Sequence, residues 1–392
     1  MSPFLQLAFL LAVILLTAKL AGYAALRLHQ PSVLGEMLVG ILLGPSLINI
    51  YHLPILDNES TGEIIKSLGE VGVLLLMFIA GLELHISELR QNTRASALAG
   101  TLGAVLSFGL GWGAGVLFGM SGASSAFLGL TLAASSVSIS AQTLMELNQL
   151  KSRVGLSLLG AAVFDDVLVI LMLSVFFAFT SDAHSFTNLL WIFARMLIFF
   201  ALAAGFGLWL LPRLIKAVRN LPISQNILTF AIVILLTYAI AAELIGGMAT
   251  ITGAFVAGLM FARSPEKESL EPRIHALAYG FFVPIFFVSI GLTANIFALR
   301  ENPALGFIVI VVAIVGKVGG AGLGARLARL TSRESLQLGM GMVPRAEVSL
   351  IAASVGLQAG LLDAQAFSAI VGMVIVCTLI TPPVLRYMFH KI

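Results

Sequence analysis

The sequence predicts an all-α polytopic membrane protein of 13 transmembrane helices, built as two inverted six-helix repeats, with one helix of each repeat broken at mid-membrane. Three observations predict it. Of 392 residues, 59% are hydrophobic and 10% charged. A soluble domain averages about 25% charged residues, so this chain cannot cover a water-facing surface of its own size. Basic residues in the connections alternate from one side of the apolar runs to the other. A sparse pattern of glycines and polar groups also recurs after 210 residues. The mean hydropathy of +1.04 excludes a cytosolic enzyme. At about 30 residues per crossing and loop, no length is left for a soluble domain.

Apolar runs of about 20 residues place the spans in order. They run from Phe4 to Ala25, Pro31 to Ile48, Ile64 to Leu82, Ser96 to Phe118, Ala123 to Thr143, Leu156 to Phe179, and Leu189 to Leu211. Six more follow, from Gln225 to Leu244, Gly247 to Phe261, Ile274 to Leu292, Ala304 to Ala325, Leu336 to Leu357, and Ala366 to Phe389. The first lacks a basic leader and reads as a retained helix rather than a cleaved signal. Connections after odd-numbered spans hold 16 of the Lys and Arg residues, and the other side holds only Lys66 and Arg300. The positive-inside rule therefore puts the N-terminus outside and the C-terminus in the cytoplasm.

The repeat supports the same count. A shift of 210 aligns Gly81-Leu82-Glu83-Leu84-His85-Ile86 with Gly291-Leu292-Thr293-Ala294-Asn295-Ile296, and Leu128-Gly129 with Leu338-Gly339. A shift of 212 sets Gly160 on Gly372 and Asp165-Asp166 on Cys377-Thr378. Spans one to six then pair with eight to thirteen, and the seventh connects them. Seven is odd, so the second copy crosses in the opposite direction. Secondary transporters use such inverted repeats, with the binding site between the copies at mid-membrane.

Four basic residues fall inside apolar runs: Lys19, Arg195, Lys317 and Arg345. Lys19 and Arg195 lie near span ends, where snorkelling to the headgroups is expected. Lys317 and Arg345 lie near span centres, where a charge costs at least about 2.5 to 3.5 kcal/mol and needs a partner or a wet cavity. The acids at that depth are Asp165, Asp166 and Glu347. Neighbours on a helix project about 100° apart, so Asp165 and Asp166 have different surroundings and different jobs. Carboxylates about 7 Å apart repel by roughly 2 kcal/mol at an effective dielectric near 20. The pair can then keep a proton on one acid while an ammonium such as Lys317 holds the other charged.

The fifth span carries Ala133-Ala-Ser-Ser-Val-Ser-Ile-Ser140, and its repeat partner carries Met342-Val-Pro-Arg-Ala-Glu-Val348. Hydroxyls and a proline at matching depth predict two helices unwound at the centre, offering carbonyls and helix termini to an ion. Glycine ladders at Gly111, Gly115 and Gly119, and at Gly316, Gly320 and Gly324, predict close helix packing. One cysteine, Cys377, excludes an internal disulfide framework. Six histidines, His29, His52, His85, His184, His275 and His390, fall in the expected connections without metal-ligand spacing, so no cofactor is expected. Asp165 and Asp166 share one helix, which argues against an intramembrane aspartyl protease, whose two acids face one water from two helices.

At Gly160-Ala-Ala-Val-Phe-Asp-Asp-Val167, Pro284-Ile-Phe-Phe287 with Gly291, Gly316-Lys317, and Gly339-Met-Gly-Met-Val-Pro-Arg-Ala-Glu-Val348, the sequence resembles a known family. It is similar there, and over nearly its whole length, to the monovalent cation:proton antiporter superfamily, in particular to bacterial sodium/proton antiporters of the NapA type. The resemblance implies an NhaA/NapA-like fold with Asp166 as the carrier of Na+ (or Li+) and of H+. It implies that Asp165 pairs with Lys317, and that Ser135 and Ser136 stand where the family has Thr-Ser. Arg345 and Glu347 map to a supporting network. Glutathione-gated potassium efflux relatives typically carry Gln-Asp where this chain has Asp-Asp.

The implied protein is not an enzyme. It lies in the bacterial inner membrane as a homodimer, with Na+, Li+ or K+ and H+ as substrates, lipid around it and no nucleic-acid partner. Residues 1–94 and 223–301 form the dimer scaffold, 95–181 and 302–392 the ion-transport core, and 182–222 the linker helix. Exchange is elevator-like and electrogenic, with two protons entering per sodium expelled. A potassium/proton antiporter of the same fold and a cation channel remain as alternatives.

Overall fold

Backbone polar groups in lipid find no water, so a chain this apolar must satisfy them inside its own helices. The computed structural model describes residues 2–45, 47–52, 59–83, 92–180, 186–292, 302–345 and 347–389, and every regular element among them is helical. In chain order these are α1 (Pro3–Arg27), α2 (Ser32–Leu43), α3 (Glu59–Leu82), α4 (Thr93–Leu117), α5 (Gly122–Ala133), α6 (Ser138–Glu146), α7 (Arg153–Thr180), α8 (Phe186–Gly205) and α9 (Leu211–Arg219). Then come α10 (Asn226–Ala241), α11 (Thr250–Phe261), α12 (Lys267–Leu277), α13 (Val283–Leu292), α14 (Pro303–Leu327), α15 (Ser332–Gly341), α16 (Glu347–Gln358) and α17 (Ala364–Phe389). Among the described residues, ten helical stretches are long and apolar enough to cross a membrane, and Ser32–Leu43, Thr250–Phe261 and Val348–Leu357 are shorter apolar helices. The protein is an all-α polytopic membrane protein.

Sequence sets the helix starts. Ser2 and Asn302 cap α1 and α14 ahead of Pro3 and Pro303, where a proline's missing N–H costs nothing. Thr331 and Glu334 form a reciprocal capping box at α15.

Three wide π-turns, at Phe206–Leu210, Ala242–Gly246 and Ala278–Phe282, interrupt the ladders. Two of them end two residues before a proline, Pro212 or Pro284. A proline ring clashes with the carbonyl four residues back and cannot donate to it, and the wider turn makes room for both. Two of the intramembrane cations bond at these turns. Lys19 donates to the Tyr279 carbonyl at 2.8 Å, and Arg195 donates to the Ile245 and Leu244 carbonyls at 2.8 and 2.6 Å. Each cation thus serves carbonyls at a π-turn.

Small residues let helices cross at backbone distance. A Cβ added at Gly320 or Gly324 of α14 would lie 2.3 Å from the Leu102 or Leu98 carbonyl oxygen of α4, and one at Gly316 would meet Ser107. Gly111 and Gly115 press likewise on Gly129 and Ser125 of α5. Gly119 departs from the ladder: it has φ +72 and open space around it, so it ends α4 by a left-handed turn. His275, expected in a connection, lies inside α12, with its ring within 4.8 Å of the Glu83 and Glu271 carboxylates. The expectations for Leu84, His85, His184, Thr293, Arg300 and His390 lie outside the described residues.

Candidate ion site

The two interruptions expected at mid-membrane are where α5 gives way to α6 and α15 to α16. At the first, Ala134 turns extended (φ −63, ψ 136). At the second, Pro344 has no N–H to offer and disfavours helix at Val343. Each break leaves orphan backbone groups that lipid cannot satisfy, and the two breaks satisfy one another. The Ser136 N–H donates to the Pro344 carbonyl at 2.8 Å. The Ser140 hydroxyl donates to the Gly341 carbonyl at 2.6 Å. The guanidinium of Arg345, 0% exposed, donates to the carbonyls of Ala134 and Ala133. Ser349 adds a bond to Ala134, and the Thr378 hydroxyl of α17 donates to the Arg345 carbonyl. The crossing is thus tied together through Nη1 of one buried cation, whose Nε and Nη2 are buried without a hydrogen-bond partner among the described residues.

α7 runs beside it with the two acids. Its close approach to α4 is made by Gly100, where a Cβ would lie 2.5 Å from the Ala161 carbonyl, and by Gly160 against Ser96. Asp165, 1% exposed, accepts from the Lys317 ammonium of α14 and from the Ser135 hydroxyl at the first break. Lys317 is 0% exposed, and Gly103 of α4 leaves room for its stem. Asp166 is half-buried and turns elsewhere, accepting from the Thr252 hydroxyl of α11 at 3.2 Å. The 100° step between neighbours thus separates a sealed carboxylate from an accessible one.

Sequence expectations meet this geometry unevenly. Asp165, Lys317 and Ser135 come together as one cluster, and Arg345 joins the breaks. Ser136 pairs with the Ser138 hydroxyl at 3.0 Å. Glu347 opens α16, and its side chain lies outside the described residues. Thr252 was not singled out by the sequence, and Thr378 only as the repeat counterpart of Asp166. Nothing about an isolated threonine in an apolar run marks it, because most such hydroxyls bond their own helix.

A polar cavity of about 490 Å³ is lined by Ser32, Glu83, Gln142, Glu146, Lys151 and Tyr279 among others. The Glu146 carboxylate at the end of α6 receives the Ser32 N–H at 2.8 Å, the Ser32 hydroxyl at 2.5 Å and the Gln142 amide at 2.9 Å. The Tyr279 hydroxyl donates to Gln142 at 2.9 Å. A carboxylate on the first N–H groups of α2 is favoured by that helix's dipole. Just past α3, burial pushes the Glu83 carboxyl above its usual range, against the pull of Lys151.

Comparison with known proteins agrees with this architecture. Residues 12–391 match the transmembrane sodium/hydrogen exchanger family. The chain is 40% identical over 381 residues to the Na(+)/H(+)-K(+) antiporter GerN of Bacillus cereus, covering 97% of this chain and 96% of that protein. It is 33% identical over 384 residues to a Na(+)/H(+) antiporter of Enterococcus hirae, covering 98% of each. Its fold is similar to that of the sodium proton antiporter MjNhaP1 from Methanocaldococcus jannaschii, with a TM-score of 0.72 at 16% identity over 100% of this chain and 98% of that one. With a family match that runs almost end to end, the chain belongs to the sodium/hydrogen exchanger family, within the monovalent cation:proton antiporter superfamily.

Proposed function

We propose that this protein is a secondary active antiporter that exchanges cytoplasmic Na+ (or Li+) for external H+ at Asp166. The observation that carries the reading is the unequal pair on α7, with Asp165 sealed against Lys317 and Asp166 half-buried beside a hydroxyl. One carboxylate can hold an alkali cation or a proton but not both, and that competition couples the two flows. Asp165 and Lys317 form a second charge pair that can release a proton when sodium arrives, which makes exchange electrogenic at two protons per sodium.

In this reading the chain crosses the membrane 13 times as two inverted repeats, with the N-terminus outside. The core of residues 95–181 and 302–392 moves against the scaffold of residues 1–94 and 223–301, joined by 182–222. The scaffold pairs two copies in the bacterial inner membrane. Similarity to the Na(+)/H(+)-K(+) antiporter GerN favours a second reading, in which K+ is also carried.

Dye-monitored proton flux in liposomes, with Na+, Li+ and K+ supplied separately, tests the proposal. Na+ and Li+ are expected to drive proton movement that Asp166→Asn abolishes. Near-normal exchange in Asp166→Asn would refute the carrier assignment, and flux with K+ equal to that with Na+ would favour the second reading.

A further inference from the structure

In an apolar helix a threonine hydroxyl usually donates back to the carbonyl four residues earlier. Thr17, Thr131, Thr143, Thr237 and Thr381 all do so here. Thr252 has no such partner within its helix. It lies in the first turn of α11, whose N-cap is Ala249, so the residue four back, Met248, precedes the helix. The side chain is 3% exposed, and a buried hydroxyl left without a partner is costly. It reaches across to α7 and donates to Asp166 Oδ2 at 3.2 Å.

The helix that holds this hydroxyl is locked in place. A Cβ at Gly253 would lie 2.2 Å from the Tyr238 carbonyl oxygen of α10, and one at Gly258 2.1 Å from that of Phe78 in α3. Backbones this close cannot slide past one another, so Thr252 keeps its position relative to α3 and α10.

We infer that Thr252 is a ligand of the transported cation. When an alkali cation replaces the proton at Asp166, the hydroxyl turns a lone pair toward it and adds a neutral, hard oxygen to the carboxylate. The inference rests on the reading of Asp166 as carrier. It adds that the cation site is shared between the moving helix and a stationary one. The oxygen is then available in only one access state, and cation affinity differs between the two faces.

The test uses the full chain, purified in detergent and reconstituted in liposomes, with Thr252→Val, Thr252→Ser and Asp166→Asn compared. Thr252→Val is expected to raise the KM for Na+ by about tenfold with a much smaller change in maximal rate. Its melting temperature is expected to rise less on adding Na+ than that of the unsubstituted protein. Thr252→Ser keeps the oxygen and is expected to stay within about twofold on KM. If Thr252→Val does not fold, Thr252→Ala replaces it as the variant without a hydroxyl. An unchanged KM and an unchanged Na+-dependent melting shift in the hydroxyl-free variant would overturn the inference. So would equal losses in the serine and valine variants, since shape rather than oxygen would then matter. Exchange that survives Asp166→Asn sinks the carrier reading instead, and that result is read on a different variant.

Discussion

Lys317 and Asp165 are the most deeply buried opposite charges in the described structure, at 0% and 1% exposed. Desolvating two ions is costly, and the pair repays this only while both members are present. Lys317→Met therefore leaves the buried Asp165 without its ammonium partner, with the Ser135 hydroxyl as a remaining donor. The expected loss is about 3 to 5 kcal/mol of stability. Lys317→Met combined with Asp165→Asn removes both charges and is expected to recover most of it. Denaturant or thermal unfolding in detergent checks this, and equal instability of the single and double variants would count against a mutual pair. In liposomes, Lys317→Met is also expected to make exchange insensitive to membrane potential. If voltage dependence persists, the pair has no part in charge movement. This site was legible in the sequence because an ion in an apolar run must be answered by another. Thr252 was not legible, because only the folded chain reveals that its hydroxyl has no carbonyl behind it.

Between elements, glycines set how close the backbones come, and the sequence announced some of these contacts and mislabelled others. Gly316, Gly320 and Gly324 press on α4 as their four-residue spacing suggests, whereas Gly119 continues that spacing into a turn. Spacing alone cannot separate a packing glycine from a helix terminator, since both serve the missing Cβ. Gly320→Ala would place a methyl 2.3 Å from the Leu102 carbonyl oxygen, at the junction that also holds Lys317. It is expected to cost about 1 to 3 kcal/mol by overpacking and to slow exchange. Gly109 of α4 has nothing within 4 Å, so Gly109→Ala is expected to be neutral or to stabilise by up to about 1 kcal/mol. Paired melting curves check both, and similar behaviour of the two alanines would remove close approach as the cause. The π-turns escaped the sequence reading for a related reason. Pro212 and Pro284 mark strain, but whether a helix kinks, breaks or widens depends on what receives the freed carbonyls. Here Lys19 supplies a donor at the turn before Pro284, Arg213 donates to the Trp209 carbonyl at the turn before Pro212, and Arg195 serves the third turn, which has no proline.

At the scale of the molecule, two kinds of contact join the half proposed to move to the half proposed to stay. One is Thr252 on Asp166 at depth. The other is at α6, where Glu146 sits on the N-terminus of α2 through Ser32 and Gln142 accepts from the Tyr279 hydroxyl. Rigid-body movement of the core has to release both, because neither α6 nor α7 can shift by several ångströms while a bond of about 3 Å holds. A covalent tether at the outer contact is therefore expected to trap the present state. Ser32→Cys with Glu146→Cys places two thiols where a hydroxyl and a carboxylate now touch at 2.5 Å. The native Cys377 is 0% exposed and out of an oxidant's reach. Oxidation is expected to stop exchange in liposomes, and reduction to restore it. The reduced variant also measures what losing the Glu146 bonds does by itself. Exchange at the reduced rate from protein proven fully cross-linked would mean that α2 and α6 stay together throughout the cycle. Transport would then need a smaller rearrangement confined to the two broken helices and the groups that bind them.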